Sequence, residues 1–223
     1  MEWSPLILTA KLALITTFLL LLIALPIAYF LAFRKSKWVI LLETIFTLPL
    51  VLPPTVIGLY LLLAFNSEST LGHFLAQYFN LQFVFSFSGL VLASLIYSLP
   101  FMLQSLVSGF RNLPTNLIEA ALVLGKNQFV TATKVLIPCI KNSIFSGIVL
   151  TFAHTIGEFG VILMIGGNIP EKTRVASIAI YNATEQLDYK LANQYALILL
   201  VSSFVLLFAM NTYHHYHTKK MNF

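Results

Sequence analysis

Five apolar runs, each near the length that crosses a bilayer, leave this chain few ways to fold. They lie at about Lys11–Phe33, Glu43–Phe65, Ser86–Val107, Asn142–Ile165 and Leu191–Tyr213. A spanning helix needs roughly 20 apolar residues, and it satisfies its backbone hydrogen bonds within one segment. The expected fold class is therefore all-α, a polytopic membrane helix bundle with five transmembrane helices. Of 223 residues, 58% are hydrophobic and only 9% charged, with mean hydropathy +0.87. A soluble domain carries about 25% charged residues. The chain reads as one membrane domain over residues 1–223, without a linker or an internal repeat. Its start, Met1-Glu2-Trp3-Ser4-Pro5, lacks a basic region and leads into too long an apolar run for a signal peptide. The first run is expected to be a retained span. The single cysteine, Cys139, can form no disulfide within the chain and is expected to be an inert thiol in a reducing compartment.

The formal charge of +5 does not point to nucleic acid. Basic residues in such a chain mainly set topology. Arg34, Lys35 and Lys37 follow the first run; Arg111, Lys126, Lys134 and Lys141 the third; Lys219 and Lys220 the fifth. The loop Asn66–Phe85 has no Lys or Arg, and the fourth loop carries Lys172, Arg174 and Lys190. Nine of the thirteen basic residues thus fall on one side, against Lys11 and those three on the other. The positive-inside bias predicts an N-terminus outside and a C-terminus in the cytoplasm.

The water-facing stretch on the basic side is patterned. Asn116 can cap a helix, with Glu119 placed to reach back to it. Leu117, Ala120, Ala121 and Leu124 recur at helical spacing. Gly125 can take a positive φ and end that helix. Asn127 can cap a second short helix that ends before Pro138, and Pro138 suits the first turn of the next. Ala120 and Ala121 add little bulk, so another surface can approach. The alternative is an ordinary helical loop.

Two spans carry interruptions. Pro49, Pro53 and Pro54 lie in Leu48-Pro49-Leu50-Val51-Leu52-Pro53-Pro54 of the second. Proline removes backbone donors, so this span should be kinked and covered by protein or a water-lined cavity. Packing alone or a solute path would both explain it. Pro100 in the third span makes the same case more weakly. The fourth contains His154-Thr155-Ile156-Gly157-Glu158-Phe159-Gly160. A carboxylate at this depth is costly and should point inward. At a spacing of four, His154 and Glu158 would share a helix face. Glu158 is then either a buried acceptor, bonded to His154 or a neighbouring helix, or a group in the path. Gly166-Gly167-Asn168-Ile169-Pro170 follows, then Thr173, Arg174 and an apolar stretch too short to span. That is the pattern of a segment dipping back into the membrane, with a solvated amphipathic loop as the alternative. Arg174 is expected to pair with Glu158 and brace an outer gate, or else to act alone as an anion lure.

No G-x-x-x-x-G-K-[ST], H-E-x-x-H or G-x-S-x-G pattern is present. The tail cluster His214, His215 and His217 reads as polar rather than metal-binding. No catalytic residue and no metal site is expected.

Glu119-Ala120-Ala121, Gly125 and Val135-Leu136-Ile137-Pro138, with their spacing, resemble the cytoplasmic coupling loop of bacterial ABC importer permeases. The loop covers about residues 108–141. With the proline-rich motif of the second span, Gly157-Glu158-Phe159-Gly160 and Ile169-Pro170 before Thr173-Arg174, the chain resembles the molybdate ABC transporter permease family. Val135 stands where isoleucine is frequent, a conservative departure. Tungstate permeases share the Gly-Gly-Asn-Ile and Thr-Arg-Val region, and sulfate permeases the general plan, so both stand as alternatives.

The resemblance implies a type I importer permease in the bacterial cytoplasmic (inner) membrane, working as a homodimer in the lipid bilayer. It implies a dimer of cytoplasmic ABC ATPases that holds ATP-Mg and grips Glu119, Ala120, Ala121, Gly125 and Pro138. It also implies an oxyanion-binding protein outside the membrane. Pro49, Pro53, Pro54, Glu158, Thr173 and Arg174 become candidates for the path or gate. This chain would bind no cofactor, break no covalent bond and contact no nucleic acid. A self-contained channel or an intramembrane enzyme is the alternative of another class.

Overall fold

The computed structural model describes residues 1–114 and 116–221, except the side chains of residues 122, 214 and 216–221. The side chains of His214 and His217 from the tail cluster thus lie outside the described residues.

Three long helices dominate: α1 (Ser4–Phe33), α5 (Phe87–Arg111) and α12 (Tyr189–Met221). All three are long and apolar enough to cross a bilayer. At 1.5 Å per residue, the 30 residues of α1 span about 45 Å. The second expected span is two helices, α2 (Lys37–Thr47) and α3 (Pro54–Phe65), joined by one 3₁₀ turn at Leu48–Leu50 and bent by 106°. The fourth is α9 (Lys141–Gly157) followed by α10 (Gly160–Gly166). Five crossings result, among the described residues, if each bent pair is counted once, the second pair being Gln128–Cys139 with Lys141–Gly157. The remaining helices are α4 (Thr70–Phe79), α6 (Asn116–Val123), α7 (Gln128–Thr131), α8 (Ile137–Cys139) and α11 (Ala176–Glu185).

Two of the five sequence spans need correction. Glu43–Phe65 is broken outright rather than kinked: Pro53 and Pro54 supply no N–H, and Pro54 starts a fresh helix at a position where none is needed. Asn142–Ile165 is not continuous either. Its helix stops at Gly157, and Glu158 is extended at φ −68°, ψ 128°. The helix α4 was not foreseen. Ser69 caps it by accepting from the Gly72 N–H at 2.9 Å. It shows Leu71, Phe74, Tyr78 and Phe79 to the outside, as an interfacial helix does.

α1, α5 and α9 pack against one another in the centre. Ala24 and Ala28 are fully buried and let α1 approach its neighbours closely. Two apolar layers form. One holds Leu20, Leu31, Met102, Leu106, Phe110 and Leu136. The other holds Leu12, Ile57, Leu90, Val161, Ile165 and Ile178. Along the helices, the buried polar residues Thr16, Thr17, Ser94, Ser98, Thr151, Thr155 and Glu158 fall between these layers. α12 shows Leu200, Val201, Phe204 and Phe208 to the outside, a surface suited to lipid rather than water.

α3 and α10 meet at van der Waals distance. A Cβ on Gly58 would lie 2.6 Å from Met164 Cβ, and one on Gly160 would lie 3.0 Å from Pro54 Cβ. Gly58→Val should therefore destabilise the protein by about 1–3 kcal/mol through overpacking. Gly157→Ala, where nothing lies within 4 Å, should be tolerated. Thermal unfolding in detergent, followed by size-exclusion chromatography, checks both.

Candidate functional site

Two regions collect the residues singled out from the sequence. The first is a knob between α5 and α9. On α6, Leu117 and Ile118 pack on the core layer that contains Phe110 and Leu136, and Ala121 is 5% exposed. Glu119, Ala120 and Val123 face outward. Ala121 thus brings α6 close to its own protein, and only Ala120 of the pair leaves room for another surface. α6 begins at Asn116 itself, which is therefore its first helical residue rather than the cap outside it.

Gly125 has φ +67°. The Lys126 N–H donates to Ala121 O at 3.0 Å, the long bond of a Schellman cap with Gly125 at its left-handed position. Nothing lies within 4 Å of a Cβ built there, so conformation rather than space calls for glycine. Asn127 caps α7, its Oδ1 accepting from Val130 N–H at 2.8 Å. The second helix, α7, ends at Thr131; a π turn over Ala132–Leu136, where the Ile137 N–H donates to Ala132 O, joins it to α8, whose first turn holds Pro138. The wider turn relieves the proline ring of its clash with the carbonyl four residues back. The chain then bends by 71° into α9. Val123, Leu124 and Phe129 stand 72–87% exposed around this corner, an apolar face beside Glu119.

The second region is where the broken spans meet. Pro49 is buried, Pro53 exposed and Pro54 half-buried. Pro54 faces Gly160 at the start of α10. Glu158, just before that start, is 4% exposed. Its Oε2 accepts from the Ser94 hydroxyl on α5 at 2.7 Å, and its backbone carbonyl accepts from Ser177 on α11 at 2.6 Å. Oε1 has no partner among the described residues. His154 does not bond Glu158. Its Nδ1 lies 2.9 Å from Ser98 Oγ, and its ring packs on Phe101 and Tyr97 at 4.1 and 5.0 Å between centroids. The helix ends between the two residues, so the shared face expected from a spacing of four does not exist.

Thr173 is fully buried. Its hydroxyl donates to Gly166 O at 2.7 Å and accepts from Ile169 N–H at 3.1 Å, closing the return loop. α11 then packs inward through Ala176, Ile178 and Ala179, too short to cross and anchored where Ala176 N–H donates to Thr9 Oγ1. Arg174 does not pair with Glu158 in this conformation. Its Nε donates to Asn168 Oδ1 at 2.6 Å, beside a polar hollow of about 450 Å³ that includes Asn182, Gln186 and Tyr195. The Thr173 clamp fixes the loop, and Arg174 points away from the break. Ser94, Ser98 and Ser177 were missed by the sequence reading, because serines within apolar runs carry no distinguishing pattern.

In the comparisons, residues 24–223 match the family model described as "Binding-protein-dependent transport system inner membrane component". The molybdenum transport system permease protein ModB of Azotobacter vinelandii is 42% identical over 91% of this chain and 90% of its own. The sulfate transport system permease protein CysT of Salmonella typhimurium is 34% identical over 77% of this chain and 62% of its own. Among solved structures, an inward-facing conformation of the MetNI methionine ABC transporter superposes with TM-score 0.73 at 15% identity, covering 93% of this chain and 92% of that one.

Removing the Ser94 hydroxyl leaves both Glu158 oxygens without a protein partner. Ser94→Ala should destabilise the protein by about 1–3 kcal/mol. In a Glu158→Leu background the same change should cost much less. A double-mutant cycle on thermal stability should give a coupling of about 0.5–3 kcal/mol for Ser94 with Glu158, and near-additive effects for Glu158 with Arg174.

Proposed function

The chain belongs to the family of inner-membrane components of binding-protein-dependent transport systems, and on that premise we propose that it is the permease subunit of an ATP-driven molybdate importer. The observation that carries this reading is the knob: an exposed α6 with Glu119, Ala120, Val123 and Leu124 outward, turned sharply at Gly125 and seated on the membrane core. Such a face is what a separate motor protein needs to grip. The 42% identity to a molybdenum permease over nearly the whole chain supports the substrate. Sulfate remains the second reading because a sulfate permease is 34% identical over 77% of the chain.

The knob lies on the side with nine of the thirteen basic residues, which supports a cytoplasmic placement, with the N-terminus outside. There an ATPase dimer would press on Glu119, Ala120, Val123, Leu124 and Phe129, with Gly125 and Pro138 shaping the corner. A second permease copy would complete the path, and a binding protein would deliver the oxyanion from outside. Residues 108–141 then act as the coupling loop of a single membrane domain spanning residues 1–223.

Leu117, Ile118 and Leu136 root the knob in the same apolar layer as Phe110 and Leu31. A push on the knob therefore reaches α5, α9 and α1 together. The breaks at Pro53–Pro54 and Glu158–Phe159 let α3 and α10 move as a packed pair against those helices. That is a hinge suited to alternating access, biased by nucleotide on the partner. Glu158 serves as a brace bonded to α5 and α11 rather than as an anion ligand, since a carboxylate repels a dianion. Thr173 holds the outer return loop, and Arg174 offers positive charge at the outer mouth. This chain contributes no bond-making step.

Reconstituted with its ATPase and binding protein, the permease should import molybdate in preference to sulfate. A preference for sulfate would overturn the substrate, and transport without ATP would overturn the class. Gly125→Val puts a β-branched residue at φ +67°, at a cost of about 1–3 kcal/mol in the knob. It should uncouple hydrolysis from uptake, and Glu119→Lys should weaken ATPase copurification. Wild-type transport rates in both variants would remove the knob from the mechanism.

A further inference from the structure

A cavity of about 340 Å³ opens between α1, α2 and the last turn of α5, away from the two regions above. Its polar lining is Glu43, Thr47, Gln104, Ser108, Arg111 and Asn112. Arg111 is the last residue of α5, and the chain beyond it runs directly into the knob. Its Nη2 donates to Glu43 Oε1 and, at 3.4 Å, to Leu31 O. This is the one salt bridge given by the described residues. Nε and Nη1 have no acceptor among the described residues, nor does the Gln104 amide. Asn112 Nδ2 makes only a 3.4 Å bond, to Ser108 Oγ.

We propose that this cavity is an exit-side subsite for a tetrahedral oxyanion, in which Arg111 exchanges its Glu43 partner for the anion. The proposal rests on the reading of the chain as an oxyanion importer. Four kinds of observation support it. The guanidinium keeps its Nε and Nη1 N–H groups free, and release of Glu43 frees the Nη2 hydrogen that either N–H fork needs to match a tetrahedral oxyanion as it matches phosphate. Gln104, Ser108 and Asn112 add neutral donors around it on the same helix end. The volume is roughly ten times the ~30 Å³ share of a water molecule, enough for a partly hydrated ion. The ion pair is weakly held, with Arg111 47% and Glu43 31% exposed, so the exchange is cheap.

Glu43 gives the site its direction. Without an anion it neutralises Arg111 and keeps the last turn of α5 against α2. With a dianion in place, the carboxylate lies beside like charge and repels it. A transport subsite has to bind weakly enough to release, and a resident carboxylate that competes for the same arginine does that. Arg34 and Lys35, on the short connection from α1 to α2, and Lys37, the first residue of α2, add positive potential at the same end.

The test uses the full permease–ATPase complex in nanodiscs, without nucleotide or binding protein, and radiolabelled molybdate, tungstate and sulfate as probes. The wild type should bind weakly, and Glu43→Gln should bind roughly tenfold tighter, since its competing charge is gone. Arg111→Gln should lose binding, and Arg111→Lys should retain part of it. Glu43→Gln binding no tighter than wild type would overturn the subsite, as would undiminished binding in Arg111→Gln. Should Arg111→Gln fail to assemble, the Glu43→Gln comparison decides alone. If Glu43→Gln tightens sulfate but not molybdate, the subsite stands and the molybdate assignment falls. If no probe binds while wild-type vesicles still import molybdate, the function stands and the subsite falls.

Discussion

A bilayer interior offers no partner to a loose backbone N–H or carbonyl, and the architecture turns on how this chain tolerates two interrupted spans under that constraint. Each break frees main-chain groups that only protein can cover. The chain covers them by bringing the interruptions together. The start of α3 at Pro54 lies against the start of α10 at Gly160, and Gly58 lets Met164 sit at backbone distance. The carbonyl of Glu158, at the second break, accepts from Ser177 of the returning α11. The return segment is thus a cover for the break as well as a connection.

The same economy places the polar residues. Ser94, Ser98, Thr151, Thr155 and Glu158 fall between two apolar layers, where α5 and α9 cross. The Ser94–Glu158, Ser98–His154 and Ser98–Thr155 bonds tie α5 to α9 and its end, and fix helix register more sharply than lipid-like packing does. Below this belt, Phe110, Leu136, Leu106 and Leu31 tie the knob to the long helices. On the proposed reading, a displacement of the knob would pass through this packed layer to the long helices.

Much of this was legible in the residues. The apolar runs announced a helix bundle and placed the end of α1 and the starts of α5 and α12 closely, while α1 begins seven residues earlier than its run and α12 extends eight residues past its own. Gly125 and Asn127 could be assigned their roles from spacing alone, because a left-handed cap and an Asx cap are local events. Pro138 falls in the first turn of α8, as its missing N–H suggests, but the π turn that joins α7 to α8 leaves no mark in hydropathy. Glu158 and Arg174 were misplaced because their partners lie 64 residues away and six residues away, respectively, in directions that depend on where α9 stops. Arg111 was counted only as a topological charge, since its meeting with Glu43 joins residues 68 apart.

By itself the sequence determined the class of fold, the uneven split of basic residues between alternate loops, the corner at Gly125 and the existence of an interruption in the second span. These follow from length, hydropathy and φ/ψ preferences, which act over a few residues and need no knowledge of neighbours. Only the tertiary structure decided that the two breaks pack on each other, that Glu158 bonds Ser94 and Ser177, that Thr173 and Arg174 both bond within the return loop, and that Arg111 faces a cavity. Those outcomes depend on which helices touch. Helices in lipid choose their partners by close packing and scattered hydroxyls, signals too sparse to read along one strand of sequence.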